Sequence, residues 1–294
     1  MGYWQTLVVL VALFGSLAVS LNLLLGSGGI FSVSHALVFG VGAYATAILE
    51  TRTGASFLVT VLVGMALAAL INLLIAGVSL RVSEDYLIIA SFGLQLIGTT
   101  VLNGWSLTGG ADGIYGVPYP KIFGWTIDSA GAFIGVSIGL LVITVVVVET
   151  IERSSWGLAL RAARDDEVGA RAYGVHTRML KTATCVASGA LAAVVGSLYV
   201  GFITLASPVE FNIQISILLL SMVVIGGTGS TVGVILGAAL LEYVPQGLQQ
   251  ISLPSNYIGP GQQVIYGLML VLIPLLRPRG IFPSRRAPIQ RREN

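Results

Sequence analysis

The chain has 294 residues, 55% of them hydrophobic and 10% charged, with a net charge of +2. Soluble domains carry about 25% charged residues, and the mean hydropathy of +0.91 points away from them too, so a polytopic membrane protein is expected. The single Cys185 excludes an intrachain disulfide and a cysteine metal cluster, and His35 and His176 alone are too sparse for a His-based metal site.

The N-terminus lacks the basic region of a cleaved signal peptide, so the first apolar stretch reads as a retained span. Trp4 to Leu49 carries no charge and is too long for one span of about 20 residues. Gly26-Ser27-Gly28-Gly29 divides it into pieces over 4–25 and 30–49. The second piece holds Ser32, Ser34, His35, Gly40, Gly42 and Ala43, which suit close helix packing or a polar lining. It either spans or re-enters. A third span is predicted over 56–77. Its INLLIAG echoes LNLLLGS at Leu21 to Ser27, too briefly to establish a repeat. Asn22 and Asn72 read as interhelical hydrogen-bonding groups, with a transport role as the alternative. Arg81, Glu84 and Asp85 form a polar turn before a fourth span over 86–103, which contains Gln95. The loop from Asn103 to Asp128 holds TGGADGIYGVPYP, a composition for compact irregular structure. Gly135 to Val148 belongs to a fifth span.

Arg153 to Lys181 is the one charged island, with Arg153, Arg161, Arg164, Arg171, Arg178 and Lys181 beside Asp165, Asp166 and Glu167. Each Arg or Lys at a bilayer centre costs roughly 2.5–3.5 kcal/mol, so burying them all would cost about 15 kcal/mol or more, and the island sits in water. Trp156 to Tyr173 contains no proline and is predicted as one helix, N-capped by Ser154 or Ser155. Gly174 stands where a left-handed C′ residue is wanted, with Val175 as its apolar follower. Arg161 with Asp165, and Glu167 with Arg171, are spaced for helical ion pairs. Ala159, Ala162, Ala163, Gly169 and Ala170 supply a face for close approach. These features fit either a solvated helix joining two spans or a helix that docks on a partner.

A sixth span is predicted over 182–205, followed by a short turn at Pro208 and Glu210. Phe211 to Leu241 is again uncharged, and Gly226-Gly227-Thr228-Gly229-Ser230 divides it into spans over 212–226 and 231–248. Pro245, Pro254 and Pro260 break the next loop. A last span over 262–276 runs into Arg277, and the basic tail reads as disordered. Twelve of the fifteen Lys and Arg residues lie in the island or between Arg277 and Arg292. The positive-inside rule places both on the cytoplasmic side, with an even number of spans between them. Eight or nine membrane segments result, depending on 30–49, and the N-terminus is external in the nine-segment case.

No catalytic set is visible. GGTGSTVG, Gly226 to Gly233, lacks the Lys-Ser/Thr ending of a phosphate loop and the spacing of a dinucleotide fingerprint. It reads as a turn between two half-spans. Few ionisable residues lie deep in a span, His35 and Glu242 being the candidates, which counts against a proton relay.

Several segments together resemble the permease subunits of branched-chain amino-acid ATP-binding-cassette importers, specifically the LivM type. They are SLNLLLGSGGIFSVSHALVFGVGAYATAIL (Ser20 to Leu49), SLTGGADGIYGVP (Ser106 to Pro118), RAARDDEVGARAYGV (Arg161 to Val175), SMVVIGGTGSTVGVILGAALLEYVP (Ser221 to Pro245) and the closing RPRGIF. They run in family order over nearly the whole chain. Ser34 stands where the family commonly has Gly, Val234 where it has Pro, Gly169 where it has Ala, and RVSEDY departs from the usual turn.

The resemblance implies an all-α, type II-like importer permease fold, with one transmembrane domain over 1–280, a coupling loop over 153–181 and a basic cytoplasmic tail over 281–294. It implies a transporter subunit, not an enzyme, in a prokaryotic inner or plasma membrane. Its partners would be a second homologous permease, two cytoplasmic ATPase subunits that bind the ATP, and an extracytoplasmic binding protein; neither a cofactor of its own nor nucleic acid is implied. The coupling residues would be Trp156, Gly157, Arg161, Ala162, Arg164, Asp165, Asp166, Glu167, Ala170 and Gly174, and the path would include Asn22, Ser32 and His35. The substrate would be leucine, isoleucine, valine or a related small amino acid or amide. The rival is an ion-coupled carrier or channel for a small neutral solute such as urea.

Overall fold

A computed structural model describes residues 2–79, 84–122, 124–250 and the isolated positions Gly261, Val264, Gly267 and Leu268. The middle of the Arg81 turn, Pro254, Pro260, most of the 262–276 span and the tail lie outside the described residues.

Only 10% of the residues are charged, and α1 (Tyr3–Asn22) carries no charge at all. A helix that is apolar all round belongs in the interior. Val9, Leu13, Leu17 and Leu21 are indeed enclosed, and α1 packs against α5 (Ala130–Arg153), α8 (Thr177–Ile203), α9 (Ile213–Gly226) and α10 (Thr231–Gln250). It ends in a π-helical turn, Leu23–Ser27.

The helix α2 (His35–Thr53) begins five residues later than the sequence suggests. Its first N–H groups have no partner in their own helix. Other helices supply them: Gln95 of α4 (Glu84–Gly104) takes the N–H of Leu37 (2.9 Å) and Ser216 of α9 that of Ala36 (3.2 Å), while Ser91 of α4 takes the N–H of Val33, just before the helix (3.0 Å). In an apolar body each such group must be satisfied internally, so these polar side chains fix where α2 starts. Further along, Gly42 lies on the backbone of Ala193 and Gly196 on that of Phe39, leaving no room for a Cβ. Small residues thus bring α2 and α8 into backbone contact. The helix α3 (Phe57–Ser79) packs on both, and its Asn72 amide lies against Gly189. Phe14, Phe39, Tyr44, Tyr199 and Phe211 close the core as a chain of edge-to-face and tilted rings.

Among the described residues four helices are long and apolar enough to cross a membrane: Tyr3–Ser27, Phe57–Gly77, Ala130–Arg153 and Thr177–Ile203. A fifth is gained if Ile88–Gly104 and the turn Ser106–Asp112, bent by 74°, count together. Ile213–Gly226 and Thr231–Tyr243 are apolar but shorter. Large aliphatic side chains face outward from α3 and α5, Leu62, Leu70, Leu74, Val142 and Ile143 among them.

One end of the bundle carries the 105–129 loop. Its β1 (Ile114–Tyr115) pairs antiparallel with β4 (Leu205–Ala206), and β2 (Lys121–Ile122) with β3 (Trp125–Thr126). Arg52 caps the loop by donating to the Leu107 carbonyl at 3.0 Å. The opposite end holds the charged island, the π-turn and the turn between α9 and α10.

Candidate functional site

The island is two helices, not the single one its proline-free sequence suggests. Ser154 terminates α5 in an extended conformation, and its Oγ accepts the Gly157 N–H at 3.4 Å, which starts α6 (Ser155–Asp165). A Cβ at Gly157 would stand 2.5 Å from the carbonyls of Ile151 and Glu152, so the corner admits only glycine as built. Asp166 then leaves the helical region (φ −152°, ψ 98°), and its Oδ1 accepts the Gly169 N–H at 2.9 Å to cap α7 (Glu167–Ala172). An aspartate in mid-pattern acts here as an N-cap, the role its short acceptor favours.

The helix α7 closes as the sequence indicates. Gly174 takes φ +82°, and the Val175 N–H reaches back to the Ala170 carbonyl at 3.1 Å, the longer bond of a Schellman ending. Thr177 to Lys181, assigned above to the island, form the first turns of α8.

Of the two expected ion pairs, Glu167 with Arg171 forms. Arg161 instead turns from Asp165 and donates to the Glu152 carbonyl at 2.8 Å, while Asp165 pairs with Arg164 at 2.9 Å. The exposed carboxylate loses nothing by this exchange, whereas the buried end of α5 gains a donor for a carbonyl with no helical partner. Glu167 also accepts from Thr177 at 3.1 Å and from the buried Lys181 at 2.8 Å. Burial pushes its carboxyl up, but the bonds from Lys181 and Arg171, the Lys181 charge and the Thr177 hydroxyl outweigh it and hold the pKa at about 2.

The island therefore has two faces. Gly157, Leu160, Ala163 and Ala170 are buried against the bundle, and Arg161 and Arg164 point the same way. Outward stand Ala162, Asp165, Asp166 and three apolar side chains that the charge pattern conceals: Leu158 (66% exposed), Val168 (78%) and Tyr173 (92%). Trp156 is half-buried at the start of α6, and Gly174 is exposed. Leu158 could have been found from the sequence by plotting α6 as a helix, since it is strongly amphipathic with Leu158 on the polar face; Val168 and Tyr173 lie on α7 and its C-terminal cap, where no such stripe singles them out.

Beneath the island, the path residues read from the sequence are held inside the body. Asn22 is fully enclosed, and its Oδ1 accepts the Gly229 N–H at 2.8 Å, tying α1 to the α9–α10 turn. His35 is enclosed too, 2.9 Å from Ser20 Oγ, and Ser188 of α8 donates to the Ser20 carbonyl at 2.6 Å. Ser32 alone of the three is partly exposed, with Ser34 Oγ at 3.0 Å. Ser27 donates to the buried Glu152 carboxylate at 2.6 Å. Alongside, a groove of about 960 Å³ runs up α8 past Leu73, lined by Thr182, Ala183, Val186 and Ala187, with His176 and Arg178 at its island end. Among the described residues no three His, Cys, Asp or Glu side chains stand close enough to hold a metal.

The profile of the family described as the branched-chain amino acid transport system permease component matches residues 3–274. The high-affinity branched-chain amino acid transport system permease protein LivM of Escherichia coli (strain K12) is 28% identical over 300 residues, 93% of this chain and 68% of that protein. A probable LivM of Methanocaldococcus jannaschii is 25% identical over 297 residues, 90% and 84% of the two chains. The autoinducer 2 import system permease LsrC of Salmonella choleraesuis is 28% identical over 151 residues, 49% of this chain and 42% of that protein. No solved structure matches.

Proposed function

The chain belongs to the branched-chain amino acid transport permease family, and on that premise we propose that it is the membrane subunit of an ATP-binding-cassette importer. It crosses a prokaryotic inner membrane eight or nine times, with island and tail in the cytoplasm. It forms half of a path with a second, homologous permease. Two separate ATPase subunits bind the ATP and dock on the island, and an extracytoplasmic binding protein delivers substrate to the 105–129 end.

The observation that carries this reading is the two-faced island. Leu158, Val168 and Tyr173 are exposed on a segment too charged to enter lipid, and exposed apolar groups rimmed by charge mark a protein interface. Asp165 and Asp166 flank them, while Gly157, Ala170 and Gly174 shape the corners on which the face is mounted. Arg161 and Glu167 brace it from within. ATP-driven closure of the ATPase pair would move the island as a rigid body and rock the attached α5 and α8.

Leucine, isoleucine, valine or a related small amino acid or amide suits the path. Zwitterions of no net charge need no fixed counter-charge, and the α8 groove offers an aliphatic wall of Leu73, Val186, Ala183 and Ala187, with the Thr182 hydroxyl beside it, that suits an apolar side chain. Asn22 and His35 serve the path at one remove, by fixing the helix ends beside it. The partial likeness to LsrC adds the autoinducer 2 class of solute to those worth testing.

The test is co-expression with the candidate ATPases and second permease, followed by uptake into proteoliposomes. ATP-dependent uptake of labelled branched-chain amino acids, above urea, amides and autoinducer 2, is the expected result. Uptake by this chain alone, driven by an ion gradient, would replace the proposal with the carrier reading.

A further inference from the structure

We propose that Arg164 is a positioning residue that passes movement of the island into the break between α1 and α2 and on to the α9–α10 turn; this rests on the coupling reading above. A coupling arginine is expected to reach for the ATPase, yet Arg164 is only 18% exposed and points into the bundle. Its Nη1 donates to the Gly26 carbonyl in the π-turn that ends α1. Its stem lies on Gly29, where the chain turns at φ +63°: a Cβ at Gly29 would stand 2.5 Å from Arg164 Cγ. Asp165 holds the other edge of the guanidinium, accepting from Nε at 3.0 Å and from Nη2 at 2.9 Å. A planar group clamped on one edge directs its remaining N–H without freedom to swing.

Contact continues beyond Gly26 without a flexible side chain in between. A Cβ at Gly26 would fall 2.5 Å from Gly229 N and 2.7 Å from Asn22 Oδ1, and that same oxygen accepts the Gly229 N–H. Arg164 thus touches the end of α1 and the turn before α2, and the α9–α10 turn joins them through Gly26 and Asn22. The Gly26 carbonyl is one of the terminal acceptors that a helix cannot satisfy itself, and a cation at a helix C-terminus is favoured there. A second tether runs parallel, from Ser27 to the Glu152 carboxylate and from Arg161 to the Glu152 carbonyl. Movement of α6 along its own axis would thus draw on the π-turn rather than slide past it.

The assembled importer is compared with Arg164→Met, which keeps the stem and removes the donors, and with Arg164→Lys, which returns one donor. Substrate moved per ATP hydrolysed is the main readout. A second is nucleotide-dependent labelling of a cysteine placed at the exposed Thr228 of the α9–α10 turn, in a Cys185→Ser background. In Arg164→Met the transport ratio is expected to fall tenfold or more and the nucleotide-dependent change at position 228 to vanish, with partial recovery of both in Arg164→Lys. An unchanged ratio and unchanged labelling would overturn the proposal. So would a parallel loss of uptake and hydrolysis at constant ratio, which would make Arg164 a static staple. If Arg164→Met does not assemble, the same two readouts on Arg164→Lys decide. Failure of the underlying coupling reading shows separately, as unaltered Arg164 giving no ATP-dependent uptake.

Discussion

Lys181, within the first turns of α8, holds Glu167 of α7 across fourteen residues, Nζ to Oε2 at 2.8 Å. The same carboxylate accepts from Arg171 and Thr177. The short helix α7, far below the length that is stable alone, is thereby fixed to a membrane helix. Glu167→Ala is expected to lower uptake several-fold while the amount of subunit in the membrane stays normal, measured as transport against immunoblot. Undiminished uptake would remove Glu167 from the coupling pathway.

The same clamp sets a pH dependence. With its pKa held at about 2 against an ordinary 4.5, Glu167 stabilises the docked α7 fully above about pH 4.5. That contribution fades as pH falls from about 4.5 toward 2, because over that range the undocked chain takes up a proton at Glu167 that the docked state excludes. Amide protection over Ala170 to Val175, corrected for intrinsic exchange, should be level from pH 7 to 5 and decline below 4.5. In Glu167→Gln it should be low throughout and show no such step.

Gly174 ends α7 at φ +82° with open space around it, so only backbone strain opposes a side chain there. Gly174→Val sets a β-branched residue in the left-handed region, at about 1–3 kcal/mol. The expected result is loss of α7 order and a several-fold fall in uptake at normal expression, with Gly174→Asn milder, since asparagine tolerates this region.

Much of this was legible from residue order. The glycine breaks at 26–29 and 226–230, the cap at Ser154, the left-handed Gly174 and the Glu167–Arg171 pair are local features, and local rules find them. What escaped was set by contacts distant in sequence. Gly26 with Arg164, Ser27 with Glu152 and Asn22 with Gly229 lie more than a hundred residues apart, and no helical spacing announces them. The helix break at Asp166 is hidden in the sequence, because an aspartate within a run of helix formers looks like one more charged turn until its side chain is seen capping Gly169. Asn22 makes an interhelical hydrogen bond, one of the two roles its residue type suggests, and the enclosure of His35 beside Ser20 gives it the same character.

The outward face of the island offers a sharper test than its charges do. Leu158 and Tyr173 are exposed and belong neither to the core cluster nor to the side chains packed on it, so Leu158→Asp and Tyr173→Asp should leave the subunit folded and inserted. Each should weaken capture of the ATPase subunits by tenfold or more, read by co-purification in mild detergent. Tyrosine is among the residue types enriched at interface hot spots, and an aspartate at either position would place an unpaired charge in the docked face. Full capture by both variants would move the docking face elsewhere.

Gln95 tests whether the start of α2 is dry. It is fully buried on α4. Its Oε1 accepts the Leu37 N–H at 2.9 Å, and its Nε2 donates to the Phe211 carbonyl at 2.8 Å, so one side chain joins α2, α4 and the approach to α9. Gln95→Leu preserves bulk but strands a donor and an acceptor, each worth roughly 1–3 kcal/mol if no water replaces the amide. The thermal unfolding midpoint in detergent should fall clearly, and Ser216→Ala, which strands only the Ala36 N–H, should lower it less. An unchanged midpoint for Gln95→Leu would mean that water reaches these groups. The beginning of α2, next to Ser32, would then lie on an aqueous route through the protein rather than behind its wall.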